Sequence, residues 1–347
     1  MSEGRNGRTT MERGKIVRRL LPLLIAMIVV AAAAGIASRA VDNREVKSDA
    51  ASQAAPEPMP QEETVDINGV ACTPKKNIKT YLFMGLDAQG EAEKVEEYDG
   101  TGQCDTLQVL VLDETNHTYT SLPINRDTMT DVKSLDDDGT YLATTRMQIS
   151  LAHATGDGME TSCENTVDAV SNLLYGQAID GYASLNMDAI EVLNHLVGGV
   201  TVTIEDDFSK EDPTLTMGET VTLTDEQAMH YVRGRMDVGD GSNEGRMRRQ
   251  SQYLSALKAK LTEKCQADSR FALDMYDALE PYMVTSLTRN DFIKLAASLI
   301  DAEEQEAPEI AGTNATGEMG FNEFTVDENS LADAVIQLFY EREEAAE

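Results

Sequence analysis

Two carboxylates and one arginine stand at the ends of apolar runs early in the chain. Asp87 ends the first run, Asp105 opens the second, and Arg126 closes the third. If these runs are neighbouring strands, the three side chains share one sheet edge, where the ligands of α/β folds bind. Such a set suits a divalent cation together with an anion. The alternative is that the aspartates only cap strand ends and turns, as most do.

A second group of charged residues is unusual for a chain with 29 basic and 61 acidic side chains. It consists of Arg233, Arg235, Arg246, Arg248 and Arg249. Helical spacing places Arg246, Arg249 and Gln250 on one side of a helix. Guanidinium forks match phosphate oxygens, so converging arginines predict a clamp for a diphosphate or triphosphate. The alternative is a solvated helix face whose arginines pair with the abundant acids.

The chain from residue 77 onward has the pattern of an α/β fold. Strands are predicted at 80–87, 106–113, 118–127 and 200–204, where runs rich in Leu, Val and Ile meet turn residues. Helices are predicted at 163–175, 187–197, 224–231, 243–264, 270–279, 291–302 and 329–341. Thr224 and Gln227 form a capping-box pair that starts one of these helices. The predicted fold is a central mixed sheet with helices on both faces, in α-β-α layers.

The N-terminal segment differs in composition from the rest of the chain. Residues 1–19 carry six basic side chains, at Arg5, Arg8, Arg13, Lys15, Arg18 and Arg19. The uncharged run 20–37 predicts a transmembrane helix of about 27 Å, near the thickness of a bilayer core. The basic flank then stays in the cytoplasm, and the chain after about residue 40 is extracytoplasmic. A cleaved secretory peptide is the competing interpretation, and it exports the same part.

These patterns divide the chain into five segments. The cytoplasmic segment 1–19 and the single transmembrane helix 20–37 come first. Residues 41–76, which contain Pro56, Pro58 and Pro60, predict an extracytoplasmic linker. A catalytic domain is expected at 77–265, and an acidic helical extension at 266–347.

Composition excludes several classes of protein. The net charge of −32 repels nucleic acid. The cysteines Cys72, Cys104, Cys163 and Cys265 lack zinc-site spacing, and the scattered histidines form no metalloprotease motif. A disulfide between Cys104 and Cys163 is a hypothesis, since an exported domain meets an oxidising compartment and the bridge pins the Asp105 loop. Isolated buried thiols are the alternative, and sequence does not choose among the three possible pairings.

Six ordered motifs resemble the LytR-CpsA-Psr family of cell-envelope proteins. They are GLD at 85–87, CDT at 104–106, INRDT at 124–128, VGGVTV at 197–202, YVRGR at 231–235 and GRMRRQ at 245–250. The resemblance spans about residues 77–265. It implies a membrane-anchored extracytoplasmic phosphotransferase that uses Mg²⁺. Such enzymes move an anionic glycopolymer, such as teichoic acid or capsule, from a polyprenyl pyrophosphate carrier onto peptidoglycan.

The resemblance also implies roles for individual residues. Asp87 and Asp105 match the magnesium-binding carboxylates and, with Arg126, form the catalytic set. The residues that match the family's pyrophosphate-binding positions are Arg126, Arg233, Arg235, Arg246 and Gln250. In the implied reaction a sugar hydroxyl attacks the proximal phosphorus and polyprenyl phosphate leaves. The lipid tail needs an apolar pocket, for which Leu173, Leu174, Ile190, Leu193 and Leu257 are candidates, although core packing explains them more simply.

Three positions depart from the family pattern. Gln103 stands where many members have arginine, and Gln148 stands where a lysine is common, with Arg146 two residues earlier. Asn243 stands in place of an aspartate that Asp237 or Asp240 could replace. Two further functions stay open. These departures favour a binder or scaffold for polyprenyl-linked polymer, and a polyprenyl pyrophosphate hydrolase would use the same residues with water as the acceptor. A transcription regulator is disfavoured because the cytoplasmic segment is too short to read DNA.

Overall fold

The computed structural model describes residues 64–95, 102–136, 139–234, 236–268, 270–318 and 320–342. The predicted cytoplasmic segment, the transmembrane run 20–37 and most of the predicted linker lie outside these residues. Within the described part of the chain, no helix is both long enough and apolar enough to cross a membrane.

The described residues form strands and helices in a mixed order. The strands are β1 (Val65–Ile67), β2 (Val70–Pro74), β3 (Ile78–Leu86), β4 (Cys104–Asp113), β5 (Thr118–Ile124), β6 (Met129–Leu135), β7 (Tyr141–Gln148), β8 (Gly181–Leu185), β9 (Thr201–Thr203), β10 (Thr220–Thr222), β11 (Met283–Thr285), β12 (Glu303–Gln305), β13 (Gly312–Thr316), β14 (Asn322–Val326) and β15 (Tyr340–Arg342). The α-helices are α1 (Glu160–Leu173), α2 (Ala189–Val197), α3 (Asp225–Arg233), α4 (Asn243–Ala267), α5 (Phe271–Leu279), α6 (Arg289–Asp301) and α7 (Glu328–Phe339). Short 3₁₀ turns occur at Ile149–Leu151 and Glu280–Tyr282.

The central sheet has six strands in the order β11-β8-β3-β4-β5-β12. Strand β4 is antiparallel to both β3 and β5, whereas β8 is parallel to β3. The sheet is therefore mixed, as predicted. Because β3 and β5 end on the side where β4 begins, residues 87, 105 and 126 lie at the same edge of the sheet.

The two faces of the sheet bury separate cores. Alternation along β3 sends Phe83 to one face and Leu82 and Met84 to the other. Helices α2 to α6 contribute to the core around Phe83, whereas α1 and α7 contribute to the core around Leu82. This arrangement confirms the predicted α-β-α layers.

The five apolar residues proposed for a lipid pocket do not lie together. Leu173 and Leu174 belong to the core of α1, on one face of the sheet. Ile190, Leu193 and Leu257 belong to the core on the opposite face. The sheet separates the two sets, so a single lipid pocket lined by all five is wrong.

Both ends of the described chain are more structured than the sequence indicates. Strands β1 and β2 fall within the predicted linker, and β2 pairs with β15 near the C-terminus. Strand β11 extends the central sheet beside β8, and β12 extends it beside β5. The region after residue 265 therefore adds two strands to the central sheet, and it is not purely helical.

Local sequence explains where the helices begin. Thr224 accepts a hydrogen bond from the Gln227 N–H, and the Gln227 side chain accepts one from the Thr224 N–H, so the predicted capping box is confirmed. Helix α1 begins before the predicted Cys163. The reason is Asp157, whose carboxylate accepts hydrogen bonds from the N–H groups of Met159 and Ser162. Its carboxylate thus satisfies donors at the helix start.

Candidate active site

Asp87 follows directly on β3 and is tied to the loop that leads into β4. Its N–H donates to the Gln103 carbonyl oxygen at 3.1 Å. In return the Gln103 N–H donates to Asp87 Oδ1 at 2.7 Å. This reciprocal pair of hydrogen bonds joins the end of β3 to the start of β4 and fixes Asp87 Oδ1. Asp87 Oδ2 remains as an oxygen ligand at the edge.

Asp105 and Arg126 form an ion pair at the same edge. Arg126 also donates from Nη2 to Gln103 Oε1 at 2.9 Å, and its Nε lies 3.7 Å from Asp127 Oδ1. The side chains of Asp105 and Arg126 are each 36% exposed, so a ligand from solvent reaches both. The structure therefore brings Asp87, Asp105 and Arg126 to one edge, linked through Gln103.

A C-terminal hairpin flanks this edge. Gln148 Nε2 donates to Asp127 Oδ1 at 3.2 Å and to the Asn322 carbonyl oxygen at 2.6 Å. The Phe324 N–H donates to the Asp127 carbonyl oxygen at 2.8 Å. The hairpin β13–β14 thus packs against the residue next to Arg126, a contact that the sequence does not predict. At the position where a lysine is common in the family, a neutral amide bridges two parts of the chain.

The second arginine group lies where α3 meets α4. Gln250 Nε2 donates to the Val232 carbonyl oxygen at 3.2 Å. Arg233 ends α3 and is exposed, and Arg246 lies half-buried in the first turns of α4. Arg235 and the side chain of Asn243 fall outside the part of the chain that the structure describes.

Two members of this group are already engaged by acids and carbonyls. Arg249 is buried and bonds to Asp206 Oδ2 at 2.6 Å. Arg248 lies 2.5 Å from Asp206 Oδ1 and 3.2 Å from Glu205 Oε2. The prediction that Arg249 belongs to an anion clamp is wrong, because burial and these partners leave it inaccessible.

Helix α4 points its N-terminal end toward the edge that carries Asp105. Tyr253 Oη lies 3.5 Å from the Ile190 carbonyl oxygen, in the first turn of α2. Further along α4, Lys258 Nζ lies 3.9 Å from Glu304, which pairs with Tyr119 at the opposite end of β5. Arg246 precedes Lys258 by about 18 Å of helix. The α3–α4 junction therefore lies toward the end of the molecule that carries the Asp105–Arg126 pair.

A buried histidine and two thiols lie beneath the loop before Asp105. His153 Nδ1 lies 3.0 Å from the Gly102 carbonyl oxygen, and its Nε2 lies 3.5 Å from Cys163 Sγ. Burial lowers the pKa of His153 to about 4 and raises the pKa of Cys163 to about 12. All four cysteines are buried and unbridged in this structure. The bridge between Cys104 and Cys163 stays a prediction.

The described residues hold no group of three or more histidine, cysteine or acidic side chains that could bind a metal. Asp87 and Asp105 nevertheless suit Mg²⁺. This ion takes one or two carboxylates and completes its shell with phosphate oxygens and water. Both aspartates offer hard oxygen ligands at an open edge, so the residues present fit a magnesium ion that arrives with a phosphate ligand.

Several curated relatives are teichoic acid transferases by name. A TagU of Enterococcus faecalis is 27% identical over 215 residues, which is 62% of this chain and 63% of that protein. A TagU of Halalkalibacterium halodurans is 32% identical over 176 residues, 51% of each chain. Both are named polyisoprenyl-teichoic acid–peptidoglycan teichoic acid transferase. The chain thus spans between half and two thirds of the length of these relatives.

Solved structures share the fold. Bacillus subtilis TagV superposes with a TM-score of 0.52 at 24% identity, over 76% of this chain and 96% of TagV. A TagT bound to LI-WTA superposes with a TM-score of 0.51 at 22% identity, over 76% of this chain and 90% of that chain. The model of the LytR_cpsA_psr family matches residues 38–338, which is most of the chain. This protein therefore belongs to the LytR-CpsA-Psr family.

Proposed function

We propose that this protein is a phosphotransferase that moves an anionic glycopolymer from a polyprenyl pyrophosphate carrier onto peptidoglycan. One observation carries the proposal: Asp87, Asp105 and Arg126 meet at one open sheet edge, linked through Gln103. Family membership supports it, as do the relatives named teichoic acid transferases. The neighbour with the same fold that was solved with LI-WTA gives further support.

At this edge the aspartates are assigned to the cation and Arg126 to the pyrophosphate anion. Asp87 and Asp105 would hold Mg²⁺, which when bound neutralises charge on the pyrophosphate. Arg126 donates to a neutral amide oxygen of Gln103, and a pyrophosphate oxygen is a stronger acceptor for that N–H. Arg126 therefore turns from Gln103 to the substrate at little cost and stabilises the charge that develops on the leaving phosphate.

The arginines of the α3–α4 junction supply further positive charge. Arg233 is exposed and Arg246 lies at the end of α4 that points toward the site. We assign both, with Arg235 and Gln250, to the pyrophosphate. Gln250 already donates one N–H to the Val232 carbonyl oxygen, so it contributes to substrate binding only through its second N–H or its oxygen.

A second function is favoured by the neutral residues in the site. Gln103 and Gln148 bring no charge where the family has cations, and both amides bond to protein atoms. Fewer cations stabilise the transition state less, so a binder of polyprenyl-linked polymer with weak transfer is the alternative. Hydrolysis of the carrier needs the same residues, with water as the acceptor in place of a sugar hydroxyl.

Turnover by the full-length protein in detergent micelles tests the proposal. The donor is a polyprenyl-pyrophosphate-linked polymer with Mg²⁺, with or without peptidoglycan. Asp105→Asn is expected to lower the transfer rate roughly 100-fold, because the cation and Arg126 both lose their charged partner. Asp113→Asn, at the other end of β4, is the matched control and should keep the wild-type rate.

Each outcome separates the three functions. Polymer release at the same rate with and without peptidoglycan identifies a hydrolase. Donor binding without any turnover identifies a binder. If Asp105→Asn transfers polymer as fast as the wild type, the assignment of this edge as the active site is wrong.

A further inference from the structure

Arg249 is the most deeply buried cation described in this protein, with 2% of its side chain exposed. It projects from α4 into the space between the end of α3 and the segment that follows β9. Isolated buried charges are costly, so such a residue persists only where its donors are satisfied. Its three nitrogens each meet an acceptor from another element.

The contacts of Arg249 converge on the end of α3. Nε donates to the Tyr231 carbonyl oxygen at 3.3 Å, and Nη2 donates to the Gly234 carbonyl oxygen. Nη1 donates to Asp206 Oδ2 at 2.6 Å. The guanidinium also lies 5.4 Å from the ring centre of Phe208, which stacks on Tyr231. One side chain therefore joins three stretches of chain.

These contacts satisfy the carbonyl groups at the C-terminal end of α3. The last carbonyls of a helix have no partner within it, and the helix dipole makes that end negative. Arg249 supplies donors to the carbonyls of Tyr231 and Gly234, and Gln250 supplies one to the carbonyl of Val232. Arg233 lies between these anchored positions. Helix α4 thus holds the backbone on both sides of Arg233.

Asp206 completes the arrangement. Its two oxygens bond separately to Arg248 and Arg249, and its side chain is 14% exposed. The carboxylate offsets the buried charge of Arg249. It also orients the guanidinium so that Nε and Nη2 face α3. Since all three Arg249 nitrogens are used and buried, this residue does not itself contact a substrate.

We propose that Arg249, oriented by Asp206, is a positioning residue that sets the place of Arg233 for pyrophosphate binding. This inference rests on the proposed function, in which Arg233 binds the diphosphate. The guanidinium acts through the α3 backbone and not through the substrate. Its loss lets the end of α3 move, and Arg233 moves with it.

Binding of geranyl pyrophosphate with Mg²⁺ to the full-length protein in detergent micelles tests the inference. We expect Arg249→Gln to weaken binding about tenfold, because small displacements of binding groups have large effects. The Michaelis constant for the polymer donor should rise with it, while kcat changes less. Arg248→Gln is the matched control, since it removes an equal charge from the same Asp206 but touches no α3 carbonyl. Its effect should stay below about twofold, as for exposed ion pairs.

The affinity is measured well below the melting temperature of each variant. If Arg249 has only a structural role, Arg249→Gln lowers the melting temperature but leaves the affinity of the folded protein unchanged. Equal affinity of folded Arg249→Gln and the wild type overturns the inference. If Arg249→Gln does not fold, Arg249→Lys replaces it. A single ammonium cannot serve three divergent acceptors, so wild-type affinity in Arg249→Lys also overturns the inference.

Arg233→Gln separates this inference from the proposed function. If Arg233→Gln and Arg126→Gln both bind geranyl pyrophosphate as the wild type does, the proposed function fails. If they bind weakly while Arg249→Gln binds normally, the proposed function stands and only the positioning role is lost.

Discussion

Burial decides which task an arginine performs in this protein. Arg126 is 36% exposed and shares its donors between Asp105 and the neutral amide of Gln103. Arg249 is 2% exposed and directs its three nitrogens to two carbonyls and Asp206. An exposed guanidinium with an uncharged acceptor can exchange that acceptor for phosphate, whereas a buried one with satisfied donors cannot. In our proposals, the same side-chain type therefore serves substrate binding at Arg126 and backbone positioning at Arg249.

Motif spacing predicted which residues reach the sheet edge but not which arginines are occupied. Asp87, Asp105 and Arg126 flank strands whose apolar pattern is strong, so their meeting follows from strand order. The partner of Arg249 is Asp206, 43 residues earlier, and no local pattern joins the two. The signal that was available is weak: an acid three residues after the short strand β9, in a chain whose later helix is rich in arginine.

His153 predicts a loss of stability in mild acid. Burial holds its folded pKa at about 4, below the ordinary value of 6.5, so the unfolded chain takes up a proton first as pH falls. The stability from this group is therefore complete above pH 6.5 and is lost between pH 6.5 and about 4. The shift corresponds to about 3 kcal/mol in the free energy of unfolding.

Urea unfolding at pH 7 and pH 4.5 checks this expectation. His153→Gln keeps a donor for the Gly102 carbonyl oxygen but does not titrate, so its stability should change less between the two pH values. His117→Asn, in an exposed turn, should behave as the wild type. Equal pH dependence in all three proteins would contradict the role of His153.

At the level of elements, the three long apolar strands of the central sheet were predicted, whereas the short buried strand β8, strand β6 and the exposed strands β7 and β13 were missed. Strands β3, β4 and β5 are apolar runs and were placed within a few residues. Strand β13 is exposed along its whole length and β7 along most of it. Without a buried face there is no alternation of apolar and polar residues for sequence to reveal. The hairpin β13–β14 beside the site therefore emerges only from the structure.

Gln148 should control how firmly that hairpin is held. Its Nε2 bonds both to Asp127 and to the Asn322 carbonyl oxygen. Gln148→Ala removes both bonds, which costs about 1–3 kcal/mol locally. We expect faster hydrogen exchange at the amides of β13 and β14, with unchanged protection in β3, β4 and β5.

Two comparisons sharpen this test. Gln337→Ala, on the exposed side of α7, removes an amide elsewhere and should leave the hairpin protected. Gln148→Lys keeps a donor at the same position, so it should preserve more protection than alanine does. Unchanged exchange of β13 and β14 in Gln148→Ala would show that Phe324 alone holds the hairpin.

Over the whole molecule, a net charge of −32 opposes the binding of a polyanion. Attraction is therefore confined to places where arginines gather, and the α3–α4 junction is such a place. Salt weakens the long-range repulsion more than the local attraction, because exposed charges are screened beyond about 8–10 Å at physiological ionic strength. Under the proposed function, an acidic surface limits non-specific contact with anionic polymer and leaves the site residues to select the pyrophosphate.

The predicted topology places the folded part outside the membrane, and single cysteines test it. The four native cysteines are buried, so a cysteine introduced at an exposed position should account for most of the maleimide labelling. In intact cells, Ser52→Cys in the linker should react with a membrane-impermeant maleimide, and Ser2→Cys only after permeabilisation, because the basic flank stays inside. The unmodified protein measures background. A mature chain without residue 2 indicates a cleaved secretory peptide in place of an anchor, and labelling of Ser2→Cys in intact cells contradicts the predicted orientation.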